Sequence, residues 1–130
     1  MEGGADCRRV STRGDDPISF GHIAELFVLL VFGHLVADYP LQTDFVAKFK
    51  CRRASLPAVP WYYVMAGHAA THAVAVWLIT GSVWLGCAEF AAHYGIDVLK
   101  CEGWTNIHVD QAMHVACKLT WLTILVLSQS

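Results

Sequence analysis

Charged side chains are scarce in this sequence. They make up 15% of its 130 residues, whereas hydrophobic residues make up 55%. A soluble domain of average composition has about 25% charged residues. The charges are also unevenly spread, with seven in residues 1–16 and five in residues 44–53. This composition excludes a disordered chain, a basic nucleic-acid-binding protein and an ordinary soluble α/β domain, and the length allows one domain.

The sequence also lacks a Cys-x-x-Cys motif and the cysteine spacing of small secreted scaffolds. Without such patterns, cysteines usually serve as small apolar residues. We therefore expect all five cysteines to be reduced: Cys7, Cys51, Cys87, Cys101 and Cys117.

Four apolar runs are long enough to cross a bilayer, which needs about 20 residues. They cover residues 19–38, 61–80, 82–100 and 106–127, and only Gly81 and its neighbours separate the second run from the third. The pattern predicts an all-α, polytopic membrane four-helix bundle at residues 18–130, preceded by a flexible tail at residues 1–17. The alternative is a soluble helical bundle, which would have almost no polar face to expose to water.

The segment QTDFVAKFKCRR between the first two runs combines apolar and basic residues. Phe45, Val46 and Phe49 share a helical spacing, and four basic residues surround them: Lys48, Lys50, Arg52 and Arg53. This pattern is typical of a short interfacial helix that dips into lipid head groups. A solvated basic loop that only sets the topology is an equally good interpretation.

The distribution of Lys and Arg indicates how the helices are oriented. The first and third loops contain five of these residues, and the N-terminal tail contains three. Because cytoplasmic loops are enriched in Lys and Arg, we expect the first and third loops to be cytoplasmic and both termini to be outside.

Each of the four runs carries one pair of ionisable residues four positions apart. Two side chains at this spacing project from the same helix face, about 6 Å apart along the axis. Ionisable groups inside a bilayer are costly and mark function by default. The four pairs are His34 and Asp38, His68 and His72, His93 and Asp97, and Asp110 and His114.

In an up-and-down bundle these eight residues fall in the same half of the membrane, on the side of the first and third loops. Five imidazoles and three carboxylates suit two divalent transition-metal ions, with zinc favoured and manganese or iron as further candidates. A metal-free polar network or proton path is the alternative. Glu89, one turn from His93, is a candidate catalytic base or a partner of a metal ligand. His22 and Glu25 are predicted to lie outside the site, and His108 is predicted to be interfacial.

The combination of these motifs resembles a small family of bacterial and phage membrane proteins, domain of unknown function 3307, over residues 20–127. The residues that carry the resemblance are Gly33-His34-Leu-Val-Ala-Asp38-Tyr-Pro-Leu-Gln42-Thr43-Asp44-Phe-Val-Ala-Lys48, His68-x-x-x-His72, His93-x-x-Ile-Asp97-x-x-Lys100 and Asp110-Gln111-x-x-His114. A more distant similarity to membrane-bound metal-dependent hydrolases implies a metal site. The matched residues outside the ligand set would contact the substrate at the entrance of the site: Gln42, Asp44, Lys48, Lys100 and Gln111.

These observations predict a membrane-embedded di-metal hydrolase that acts on a membrane lipid or another lipid-linked phosphoester. Lys48, with Lys50, Arg52 or Arg53, would hold the anionic head group, and the metal site would face the cytoplasmic side of a bacterial inner membrane. Metal transport or sensing is one alternative, although four helices would then need a homo-oligomer for alternating access. The others are a di-iron oxidase and a structural phage or envelope protein. No nucleic-acid partner is expected.

Overall fold

The computed structural model describes residues 20–54 and 56–128, which form helices and no strand. The protein is therefore all-α, as predicted. A short 3₁₀-helix at Arg52–Ala54 accompanies five α-helices: α1 Phe20–Asp38, α2 Asp44–Phe49, α3 Trp61–Thr80, α4 Val83–Cys101 and α5 Ile107–Leu127. The four long helices match the four apolar runs to within one residue at each end. The predicted tail at residues 1–17 lies outside the described residues.

Local signals explain where the long helices begin and end. Gly81 ends α3 with a left-handed backbone (φ 70°), a conformation that glycine adopts without steric cost. The Ser82 hydroxyl then accepts a hydrogen bond from Leu85 N at the start of α4. The Asn106 side chain accepts two such bonds at the start of α5. Because Gly81 and Ser82 alone connect α3 to α4, these two helices form a tight antiparallel hairpin.

The four long helices pack in a ring in which α1 contacts α3 and α5, and α4 contacts α3 and α5. One half of the ring interior is an apolar core formed by Leu26, Leu30, Val76, Leu85, Leu122 and Leu125. The other half contains buried His and Asp side chains. This polar half lies near the α1–α3 and α4–α5 connections, and we call that end of the bundle the mouth.

A disulfide joins the two connections at the mouth. Cys51 and Cys101 are bonded, with their Cα atoms 5.2 Å apart and a sequence separation of 50. The prediction that all cysteines are reduced is wrong for this pair, because spacing along the chain does not show which cysteines a fold brings together. Cys87 and Cys117 are free, and Cys7 lies outside the described residues.

The segment between α1 and α3 contains a short helix, as in the first of the two interpretations that the sequence allowed. Thr43 caps α2 through a hydrogen bond from Val46 N to its hydroxyl. The segment packs on α3, and Arg52 and Arg53 contact the Glu102 side chain near the disulfide at 3.3 and 4.0 Å. The segment is thus fastened to the end of α4 by a covalent bond and by ion pairs.

The described part of the chain has an unusual distribution of polar and apolar side chains. Eleven polar or charged residues are buried, as many as the buried hydrophobic ones, while 22 large hydrophobic residues are exposed. By length and composition, α1 alone among the described helices is long and apolar enough to cross a membrane. A single such helix is weak evidence for a membrane location, because the core helix of a soluble protein passes the same test.

Candidate metal centre

The structure brings all eight predicted ligand residues into one buried cluster. Their ligand atoms form three groups, in each of which the atoms lie within 4.8 Å of one another and could hold a metal ion. The groups are Asp38 with His68, His72 and His93; His34 with His93 and His114; and Asp97 with Asp110 and His114. All eight residues are buried. Since each long helix contributes two of them, the cluster exists only in the assembled bundle.

Asp38 is the centre of the first group. Its Oδ1 lies 3.2 Å from both His68 Nε2 and His72 Nε2, which come from α3. Its Oδ2 lies 3.4 Å from His34 Nε2 and accepts a 3.0 Å hydrogen bond from the Gln111 amide. One carboxylate oxygen is therefore directed at two imidazoles, while the other is held in place by a neutral donor.

The second carboxylate centre lies where α4 meets α5. His114 Nε2 is 3.5 Å from Asp97 Oδ1 and 3.7 Å from Asp110 Oδ1. Asp97 Oδ2 also lies 3.4 Å from His68 Nε2 and 3.7 Å from His93 Nε2. Asp97 thus lies between the Asp38 group and His114, with Oδ1 facing His114 and Oδ2 also bound by the Lys50 ammonium.

The separations between these atoms fit metal ligation. Ligand atoms at about 2.0–2.1 Å from one tetrahedral zinc lie about 3.4 Å from each other. Eight buried side-chain atoms of the described residues have no partner in hydrogen-bond geometry, and four of them face one another in the cluster: Asp38 Oδ1, His72 Nε2, Asp110 Oδ1 and His114 Nε2. A buried polar atom without a partner costs about 1–3 kcal/mol. Ligation of a cation would satisfy all four.

Glu89 lies beyond the cluster, towards the apolar core. Its two oxygens accept 2.6 Å hydrogen bonds from the Lys118 ammonium and the Trp121 indole. Its Oε1 also lies 3.5 Å from His93 Nδ1, the nitrogen opposite the one that faces the ligand cluster. A carboxylate in this position can orient a ligating imidazole. His93 Nδ1 has no partner in hydrogen-bond geometry, so both roles of Glu89, catalytic base and partner of a metal ligand, stay predictions.

The predicted substrate contacts occupy different places. The Gln111 side chain contacts two predicted metal ligands, the His34 ring and the Asp38 carboxylate. The Gln42 amide donates a 2.9 Å hydrogen bond to the backbone carbonyl of Asp38. Asp44 is exposed at the start of α2. Lys48 is also exposed, with its ammonium 5.4 Å from the ring centroid of Phe49. Its contact with a substrate stays a prediction.

Three lysines contact buried carboxylates. Lys50 binds Asp97, Lys100 binds Asp110, and Lys118 binds Glu89. Lys100 was expected at the entrance of the site and Lys50 was expected to assist Lys48 in holding the head group, whereas no role was predicted for Lys118. A signal for Lys118 was present, because it continues the spacing of Asp110 and His114 by one further turn.

His22, which was predicted to lie outside the site, and His108, which was predicted to be interfacial, both lie outside the ligand cluster. His22 is exposed near the start of α1, where it lies 3.9 Å from Glu25. His108 is exposed on the first turn of α5. Neither residue belongs to a group that could hold a metal ion. They are therefore suitable controls for substitutions inside the cluster.

Fold and site together define an all-α protein with a buried His and Asp cluster that could hold metal ions. The chain belongs to the family described as protein of unknown function, DUF3307, whose family model matches residues 26–130. This membership confirms the resemblance seen in the sequence. No curated protein and no solved structure matches the chain, so the more distant similarity to membrane-bound metal-dependent hydrolases has no support.

Proposed function

We propose that this protein is a membrane-embedded, di-metal hydrolase that acts on an amphipathic substrate, a lipid-linked phosphoester. The observation that carries the proposal is the set of eight buried ligand residues, several of whose atoms face one another without hydrogen-bond geometry. A polar network that needed no ion would pair these atoms, since each unpaired one lowers stability.

The exposed surface supports four membrane spans rather than one. Polar residues reduce the mean hydropathy of α3, α4 and α5, but the charged and imidazole groups of the ligand cluster face the interior. Large apolar side chains cover the outside of these helices, for example Leu78, Trp84 and Leu127, which are 73%, 80% and 70% exposed. In water such a surface would favour association, whereas in lipid it is the expected outer face.

The donor set supports two ions. Five imidazoles and three carboxylates exceed what one tetrahedral ion takes, and Asp97, Asp110 and His114 form a group separate from the one around Asp38. Zinc is favoured by the number of imidazoles, and manganese or iron would also fit the mixed set. Bound here, two such ions would supply Lewis-acid activation of water and stabilise negative charge on a phosphoryl group.

Side chains next to the cluster orient its ligands, and the apolar core borders the cluster on one side. Gln111 holds Asp38 through Oδ2, which leaves Oδ1 directed at His68 and His72. Glu89 Oε1 lies 3.5 Å from the outer nitrogen of His93. The leucine core fills the opposite half of the bundle, and we therefore expect substrate to enter at the mouth. A closed half of this kind favours an enzyme over a transporter, which needs polar groups along a complete path.

The orientation of the protein in a bacterial inner membrane is defined by the side of the membrane that the mouth faces. The count of Lys and Arg, five against three, predicts a cytoplasmic mouth, whereas disulfides form and persist in oxidising compartments. Several of the basic residues at the mouth also have a structural use, because Lys50, Lys100 and Arg52 each contact an acidic side chain. We base the proposed orientation on the Cys51–Cys101 bond, and so the mouth faces the periplasm and both termini face the cytoplasm.

The test is hydrolysis of a panel of lipid phosphoesters by purified protein in detergent. We expect release of the head group or phosphate that stops when a chelator removes the metal and returns when zinc or manganese is added. His72→Ala should be inactive, whereas His108→Ala, an exposed histidine on α5, should retain activity. Protein that holds two ions but hydrolyses no member of the panel would contradict the proposed reaction and leave the metal centre in place.

A further inference from the structure

Two lysines contact two carboxylates of the candidate metal centre. The ammonium of Lys50 lies 2.5 Å from Asp97 Oδ2, and that of Lys100 lies 2.8 Å from Asp110 Oδ2. The other oxygen of each carboxylate, Oδ1, faces His114 Nε2. Each carboxylate therefore presents one oxygen to a metal position and the other to a lysine.

The disulfide holds the two lysines beside each other. Each lysine directly precedes a bonded cysteine, Lys50 before Cys51 and Lys100 before Cys101, so the two Lys-Cys pairs are joined covalently across the mouth. The Lys50 side chain is 8% exposed and that of Lys100 is 32% exposed. The two ammonium groups are thus partly shielded from water, and Lys100 remains accessible from the mouth.

The net charge of Asp97, Asp110, Lys50 and Lys100, which together we call the lysine corner, depends on the metal. The charges of the two carboxylates and the two ammonium groups sum to zero. Without metal, the lysine corner therefore has no excess positive charge to attract an anion. A divalent ion on Asp97, Asp110 and His114 would raise the sum to +2. Excess charge in a partly buried place is unfavourable unless a counter-charge compensates it. A phosphoryl group supplies that charge and has enough oxygens to reach the ion and to accept hydrogen bonds from both lysines.

We propose that Lys50 and Lys100, clamped by the Cys51–Cys101 disulfide, form a metal-dependent binding site for the phosphoryl group of the substrate. This inference rests on the proposed function and extends it. It assigns recognition of the phosphoryl group to these two lysines at the cluster, and it makes the affinity for the anion depend on the metal and on the disulfide.

The experiment measures binding of inorganic phosphate to the purified full-length chain in detergent by calorimetry, with metal content determined in the same samples. Zinc-loaded protein, freed of excess zinc, should bind phosphate at least tenfold more tightly than metal-free protein. Lys50→Met and Lys100→Met should each weaken binding at least tenfold and leave the metal content unchanged. Lys50→Arg, which keeps the charge, should retain most of the affinity.

Two further variants separate this site from general electrostatic attraction. Arg53→Met removes a positive charge from the same segment, at a side chain that is 73% exposed, and should leave phosphate binding unchanged. Replacing both Cys51 and Cys101 by serine should weaken phosphate binding without loss of metal, because the lysines are then no longer held together. If Lys50→Met does not fold, Lys100→Met, whose side chain is more exposed, provides the same test.

Protein that holds two ions but binds no phosphate, or binds it equally well in both Met variants, would overturn the inference while the metal centre stands. Protein that holds no metal would overturn the proposed function and, with it, this metal-dependent site. A short-chain phosphatidic acid distinguishes the source of the phosphoryl group. Tighter binding of this lipid than of inorganic phosphate supports the site with a lipid head group as its ligand, and equal binding supports it with free phosphate.

Discussion

The buried pair of Glu89 and Lys118 offers a quantitative test of the packing between α4 and α5. Both side chains are 1% exposed, and the ammonium lies 2.6 Å from the carboxylate. Removing one partner of a buried ion pair leaves an uncompensated charge and costs about 3–5 kcal/mol, whereas replacing both with neutral groups of similar size is often close to neutral. We therefore expect Glu89→Gln and Lys118→Met to be strongly destabilising alone and much less so together.

The assay is unfolding in mixed dodecyl maltoside and dodecyl sulfate micelles, followed by circular dichroism at one fixed metal concentration. Each single substitution should lower the free energy of unfolding by about 3–5 kcal/mol, and the double variant should lie within about 1–2 kcal/mol of the wild type. Glu25→Gln, at a side chain that is 69% exposed, is the control and should change stability by less than about 0.5 kcal/mol. Losses in the double variant that equal the sum of the two single losses would refute the contact.

Two further predictions concern packing and topology. Gly86→Ala should destabilise the protein by about 1–3 kcal/mol in the same unfolding assay, because the added Cβ would lie 2.9 Å from a backbone oxygen of α3. The control Gly95→Ala, whose added Cβ would have no atom within 4 Å, should be neutral or stabilising by about 0.5–1 kcal/mol. Equal effects of the two substitutions would contradict the close approach of α3 and α4 at Gly86. With the other three cysteines replaced by serine, Cys51 and Cys101 should react with a membrane-impermeant maleimide on intact cells only after an impermeant reductant is added. Labelling without reduction would contradict the disulfide, and labelling only after lysis would contradict a periplasmic mouth.

The long helices could be predicted because their signals are local. Each run is apolar over the length of a membrane span. Pro60 and Asn106 directly precede the first residues of α3 and α5, and Gly81 directly follows the last residue of α3. The ligand residues could be predicted for a similar reason. A spacing of four places two side chains on one helix face, and antiparallel packing of neighbouring helices then places the four pairs at one depth.

The rest of the site depends on contacts between distant parts of the chain. The Cys51–Cys101 bond spans 50 residues, and Lys50 reaches Asp97 from a different helix. No spacing rule within one helix indicates such a pair. Lys48 had the same local environment in the sequence as Lys50, but the two residues lie on different sides of the segment, so one is exposed and the other contacts the cluster.

The metal content of the purified protein tests the central claim most directly. Elemental analysis by mass spectrometry, after purification without chelators and supply of zinc or manganese, should find close to two ions per chain. His114→Ala should lose at least one of them, since this imidazole faces both Asp97 and Asp110, and the exposed-histidine control His108→Ala should keep both. Wild-type protein that is folded, has been supplied with these metals and still contains none would contradict the account.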